Sequence, residues 1–151
     1  MSKRNSKRAV AERTNPEIRH GRHCVFLMHA HLVFVTKYRK NVLTAELLAF
    51  LKPIFESVCK DFDAELVEFE GEHDHVHLLI NYPPKHPLSK IVNLLKGIAA
   101  RRVRSDPKIK KLLKGKLWGE NLWTPSYFAG SCGGAPLEMI KEYIQSQQRP
   151  E

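Results

Sequence analysis

Cysteine is scarce in this chain and badly placed for cross-linking. There are three, Cys24, Cys59 and Cys132, far apart and in no C-x-x-C pair. An odd, scattered set excludes a disulfide framework and a cysteine zinc site, and it fits a reducing compartment. Long apolar runs are missing too: none approaches the roughly 20 residues needed to span a bilayer. The opening stretch MSKRNSKRAVAERTNPEIRHGRH has no apolar segment of the kind a signal peptide needs. These absences predict a soluble, cytoplasmic protein without a membrane partner. Repeats and low-complexity stretches are also lacking, and 151 residues with 42% hydrophobic content suit one domain around a single core.

Acidic residues are the other shortage, 16 against 25 Lys and Arg, for a formal charge of +9. That excess suits a polyanionic partner, because each cation that neutralises a phosphate releases condensed counterions. Residues 1–22 read as a basic, polar N-terminal tail, and residues 23–149 as the folded domain. Candidate phosphate contacts are Lys37 and Arg39, in the cluster KYRK, and Lys90, Lys96, Arg101, Arg102 and Arg104, read as the outer face of one helix. A solvated helix face explains the second group almost as well.

The apolar pattern predicts a strand over 24–36, then a helix capped by Thr44 and reaching about residue 60. Pro53 falls inside that helix. Two strands follow, 64–70, where AELVEFE alternates as a half-exposed strand, and 73–82, joined as a hairpin. A helix begins at Ser89 and runs to about Arg104, and the basic connector after it has room for one helical turn. LWTPSYFAGS, 122–131, reads as the last strand, and Pro136 starts a helix to about Gln148. The expected fold is α+β, a ferredoxin-like βαββαβ antiparallel sheet with helices on one face, plus an added C-terminal helix.

The hairpin strand carries the most unusual pattern. In GEHDHVHLLINYPP, His73, His75 and His77 alternate while Val76, Leu78 and Ile80 form the opposite, apolar face. Two imidazoles about 6–7 Å apart along a strand can converge on one ion, and neutral imidazole is the commonest protein metal ligand. A bare H-x-H also arises often by chance. Asp74 is expected to point away from the pair, and a third ligand would have to arrive from another element.

The last helix offers one. Tyr143 and Gln147, at i and i+4, share the flank of a stripe formed by Leu137, Ile140 and Ile144. Alone, the pair reads as a packing aromatic and a surface amide. Beside a histidine pair it acquires a chemistry: a phenol can attack the phosphorus of a DNA strand, displace a 3′-hydroxyl and hold the strand as a 5′-phosphotyrosine. Such a transfer needs charge neutralisation more than proton transfer.

DHVHLLI, with HAHLVFVTKYRKNVL upstream and LWTPSYFAGSCGGAPLEMIKEYIQSQ downstream, resembles the small HUH-type tyrosine transposases of single-strand DNA insertion sequences, the IS200-like, TnpA-type family. The resemblance covers roughly residues 23–148. It implies that Tyr143 is the nucleophile, on a catalytic C-terminal helix, and that His75, His77 and Gln147 hold a divalent metal. The implied metal is Mg or Mn; two imidazoles and an amide suit Mn²⁺ better by ligand softness. The resemblance further implies single-stranded DNA with hairpins as substrate. It also implies a homodimer that joins its sheets and shares active sites between subunits. A non-catalytic single-stranded nucleic-acid-binding module on the same fold is the competing reading. A water-using hydrolase is a third, weakened by the lack of a convincing carboxylate base near the histidines.

Overall fold

The computed structural model describes residues 18–116, 121–131 and 137–147, the last without side chains at 137–139. Trp118, Cys132 and Pro136 therefore lie outside the described side chains, as do residues 1–17, the bulk of the expected tail. The end of that tail is structured: β1 (Arg19–Gly21) pairs antiparallel with β2 (Cys24–Phe26).

The strand expected over 24–36 is divided. Leu27 and Met28 separate β2 from β3 (His29–Val35), the central strand of the main sheet. A single 3-10 turn, Lys37–Arg39, leads to α1 (Ala45–Asp61), capped as expected by Thr44, whose Oγ1 accepts from Leu47 N. Pro53 does not break α1, because it lies on the exposed side, where water can satisfy the carbonyl one turn earlier. β4 (Glu65–Gly71) and β5 (His75–Asn81) form the hairpin. α2 (Leu88–Ser105) and a short α3 (Pro107–Leu112), capped by Asp106, precede β6 (Phe128–Ser131). β6 is shorter than the strand expected there; Trp123 keeps only an isolated bridge to Thr36. α4 (Leu137–Ser146) closes the described chain.

The sheet order is β4-β5-β3-β6, every pair antiparallel, which is the ferredoxin-like βαββαβ arrangement. Alternation divides its side chains between two faces. Ala30, Leu32 and Phe34 of β3 join Val76, Leu78 and Ile80 of β5 on the face that receives Leu47, Leu51, Phe55 and Val58 of α1 and Ile91, Leu95 and Ala99 of α2. The other face carries Val33 and Val35, covered by Ile140 and Ile144 of α4. The C-terminal helix thus packs on the side opposite α1 and α2.

β4 departs from the simple alternation read in its sequence. A bulge between Leu66 and Glu68 turns Val67 outward, 49% exposed, and lets both Leu66 and Phe69 reach the main core. Glu68 and Glu70 are thereby delivered to the opposite face. Gly71 ends the strand against the Leu48 side chain of α1, which would have to shift to admit a Cβ there.

Candidate active site

The site grows from the β3–β5 pairing. Val33 lies opposite His77 and Val35 opposite His75, so both imidazoles rise on the α4 side of the sheet. Their ring centroids are 4.9 Å apart, closer than strand spacing alone requires because the rings tilt toward each other. His73 does not continue the row. It sits exposed in the turn before β5, so only His75 and His77 form the pair. His31, from β3, is a third imidazole on this face, 5.5 Å from His77 between centroids.

Asp74 corrects the simple strand reading. It precedes the first β5 residue, is freed from alternation, and turns back so that Oδ1 lies 2.7 Å from His75 Nδ1. Its other oxygen takes a hydrogen bond from Arg39 Nε at 3.2 Å. Burial works against the charge on Asp74, but the hydrogen bonds and positive charge of His75 and Arg39 hold the carboxyl below its ordinary range. An ionised carboxylate can only accept, so Nδ1 of His75 carries a proton and donates it, which orients Nε2 toward the cleft side of the pair. Burial, and then the neighbouring His75 and His31, push His77 down to about 4, so it is neutral at physiological pH.

Two imidazoles side by side, His77 neutral and His75 oriented by a carboxylate, are a donor set that a divalent transition metal takes. Among the described residues no group of three or more His, Cys, Asp or Glu side chains could hold an ion.

Tyr143 and Gln147 do share one flank of α4, as their spacing predicts, but that flank faces β6. The Tyr143 ring packs on Phe128 with centroids 5.9 Å apart, and its hydroxyl lies 2.7 Å from Ser126 Oγ. Ser126 Oγ also donates to Gln147 Oε1 at 3.3 Å. The cleft of about 500 Å³ beside the histidine pair is lined from α4 by Ile140, Lys141, Ile144 and Gln145 instead. The structure brings His75 and His77 together, brings Tyr143 and Gln147 together, and leaves the two pairs on different sides of one helix.

Of the candidate phosphate contacts, Lys90, Arg101, Arg102 and Arg104 are exposed on α2. Lys96 is not on that outer face. It is half-buried, with Nζ donating to Thr124 O (2.7 Å) and Ser126 O (2.9 Å) and lying over the Phe34 and Tyr127 rings. Burial lowers its pKa to about 8. Lys37 and Arg39 flank the histidine side of the sheet, and Arg39 lines the cleft. Asp74 was read as pointing away from the pair, with adjacency to His75 the only local signal of its role; Ser126 was missed, and nothing local marks it.

Over residues 24–147 the chain matches the protein family described as "Transposase IS200 like". It is 36% identical over 136 residues to the ISDra2 transposase TnpA of Deinococcus radiodurans, a match covering 89% of this chain and 94% of that protein. It is 27% identical over 117 residues to the transposase for insertion sequence element IS200 of Salmonella typhimurium, covering 78% and 74%. A crystal structure of a candidate transposase from Deinococcus radiodurans R1 superposes with a TM-score of 0.75 at 35% identity. That match covers 87% of this chain and 99% of the other. No helix among the described residues is long and apolar enough to cross a membrane.

Proposed function

The chain belongs to the IS200-like transposase family, and on that premise we propose that it cuts and rejoins single-stranded DNA at insertion-sequence ends through Tyr143. The phenol oxygen bonds to phosphorus, the P–O3′ bond breaks, and the strand is held as a 5′-phosphotyrosine. The phenol proton passes to solvent and the departing oxygen leaves as a 3′-hydroxyl. A new 3′-hydroxyl then attacks the same phosphorus and releases the phenol. The observation that carries this reading is the pairing of the His75 and His77 imidazoles, with His75 oriented by Asp74 and His77 kept neutral by burial.

His75, His77 and Gln147 are the residues that would hold a divalent ion, Mn or Mg; when bound it supplies Lewis-acid neutralisation of the phosphate charge. Gln147 and Tyr143 lie on the β6 flank of their own α4. A second copy that presents its α4 flank to this histidine pair would complete the site. That placement supports the shared-site homodimer. Hairpin-bearing single strands are the proposed substrate, with Lys37, Arg39, Lys90, Arg101, Arg102 and Arg104 as proposed phosphate contacts. Lys96, tied to two carbonyls, is withdrawn from that set. Tyr143 favours this reading over a binding module, which needs no phenol on a helix beside a histidine pair.

Labelled single strands from the flanks of the gene, incubated with protein and Mn²⁺, are expected to yield a denaturant-resistant protein–DNA adduct. Tyr143→Phe abolishes it; persistence of the adduct reassigns the nucleophile. Mixing Tyr143→Phe with His75→Ala protein restores adduct formation if the site spans two subunits. No rescue, with heterodimers demonstrated, places each site within one chain.

A further inference from the structure

Arg39 occupies a position built at some cost. Tyr38 and Arg39, two consecutive non-glycine residues, both take left-handed backbone angles, φ 59° and 53°. Side chains of this size rarely adopt that region, and such strain persists only where the surroundings impose it. They do so here. Thr36 Oγ1 donates to Lys40 O (2.8 Å) and Asp74 O (3.1 Å), Thr36 N donates to Asp74 O (2.8 Å), and Lys37 N donates to Leu122 O (2.9 Å). The turn after β3 is thereby clamped to the turn before β5.

The clamp brings the Arg39 guanidinium and the His75 imidazole onto one carboxylate. Arg39 Nε donates to Asp74 Oδ2 at 3.2 Å, and His75 Nδ1 meets Oδ1 at 2.7 Å. Among the described residues Arg39 is engaged through Nε, which leaves its two Nη groups as a planar fork. Its side chain is 19% exposed and lines the same cleft as His75 and His77. A fork of that kind takes two oxygens of one phosphate at once. Phosphoryl transfer develops negative charge on those oxygens, and a donor fixed in advance stabilises it without reorganisation.

We infer that Arg39 is a further catalytic residue whose guanidinium grips the non-bridging oxygens of the scissile phosphate, and that Asp74 is the positioning residue that sets Arg39 and His75 in register. The inference rests on the proposed reading that the scissile linkage enters beside the histidine pair. The plainer role, a counter-charge for buried Asp74, is filled equally well by lysine, whereas lysine lacks the fork.

The test uses the full-length protein and single strands from the gene's flanks in which one linkage at a time is an uncharged methylphosphonate. Wild type, Arg39→Lys and Arg39→Ala are compared after circular-dichroism melts show which variants are folded. At the scissile linkage, the methylphosphonate weakens wild-type binding more than it weakens the binding of either variant. On the ordinary strand, Arg39→Lys forms the adduct about 100-fold more slowly, while its Mn²⁺ affinity by calorimetry matches wild type. Asp74→Asn, by contrast, is expected to lose about 10–100-fold in Mn²⁺ affinity as well. Adduct formation by Arg39→Lys at the wild-type rate overturns the inference. So does a methylphosphonate effect of equal size in wild type and variants at every linkage. If wild type forms no adduct at all, the Tyr143 reading fails instead, and the methylphosphonate comparison of binding still decides Arg39.

Discussion

The two faces of the sheet are made from the same strands and differ in almost everything else. On one, Phe34, Leu32, Val76, Leu78 and Ile80 meet two long helices in a continuous core whose members are nearly all inaccessible to water. On the other, a small apolar island of Val33, Val35, Ile140 and Ile144 is bordered by His31, His75 and His77 and by Glu68 and Glu70. The first face makes the fold and the second uses it. A rigid, fully packed side fixes the strands, so that the opposite side can present polar groups at set spacing without having to supply the stability itself.

That contrast can be broken most severely on the packed face. Phe34 is fully buried against the rings of Phe55 and Trp123, and Phe34→Ala is expected to cost about 3–5 kcal/mol in urea unfolding. On the other face Ile144, 8% exposed in a cluster of few residues, should cost about 2 kcal/mol as Ile144→Ala, the low end for such a truncation. Equal losses at the two positions would show that α4 is as integral to the fold as α1.

Lys96 sharpens the comparison from within the packed side. Lys96→Met leaves the Thr124 carbonyl without this donor and the Ser126 carbonyl with only the longer bond from Thr124 Oγ1, 3.4 Å, and is expected to destabilise by about 1–2 kcal/mol. A stability matching wild type, with weakened DNA binding instead, would return Lys96 to the phosphate contacts.

The histidine face should also reveal itself through pH. His77 titrates near 4 in the fold against 6.5 in the unfolded chain. Between those values the unfolded state binds the extra proton, so stability of the metal-free protein rises with pH across that window. Buried His29, also lowered, acts in the same direction. Asp74, held below its usual range, matters only further down, where stability is lost as pH falls through its folded value. Urea midpoints measured from pH 4 to 6.5 should climb in wild type and climb less in His77→Ala; parallel curves would show that His77 is not the group responsible. The smallest effect belongs to the solvated outer face of α2, where Arg101→Ala should change stability by less than about 0.5 kcal/mol. If Arg101 does hold a phosphate, the same change lowers the salt slope of DNA binding by about 1.

Where the signal was local, it was legible. Thr44 and the apolar stripe behind it marked α1, and alternation in β5 separated the core residues from His75 and His77. The i, i+4 spacing put Tyr143 and Gln147 on one flank of α4. What could not be read was which neighbour each surface would meet. Lys96 lies where a solvated stripe was expected, but the 124–126 segment, nearly thirty residues later in the chain, folds over it. Val67 and Glu68 looked like ordinary alternation, and only pairing with β5 exposes the bulge that gives Glu68 and Glu70 to the histidine side.

Periodicity and residue chemistry, properties of short stretches, were enough to read the βαββαβ order and the histidine pair, whereas the role of Tyr143 came with the family resemblance. The tertiary structure alone decided that α4 covers the face opposite α1 and α2, that its Tyr143–Gln147 flank turns to β6, and that Asp74 joins Arg39 to His75. These depend on contacts between segments distant in sequence. Packing and hydrogen-bond satisfaction choose such contacts only once the whole chain is compact, and no local pattern encodes them.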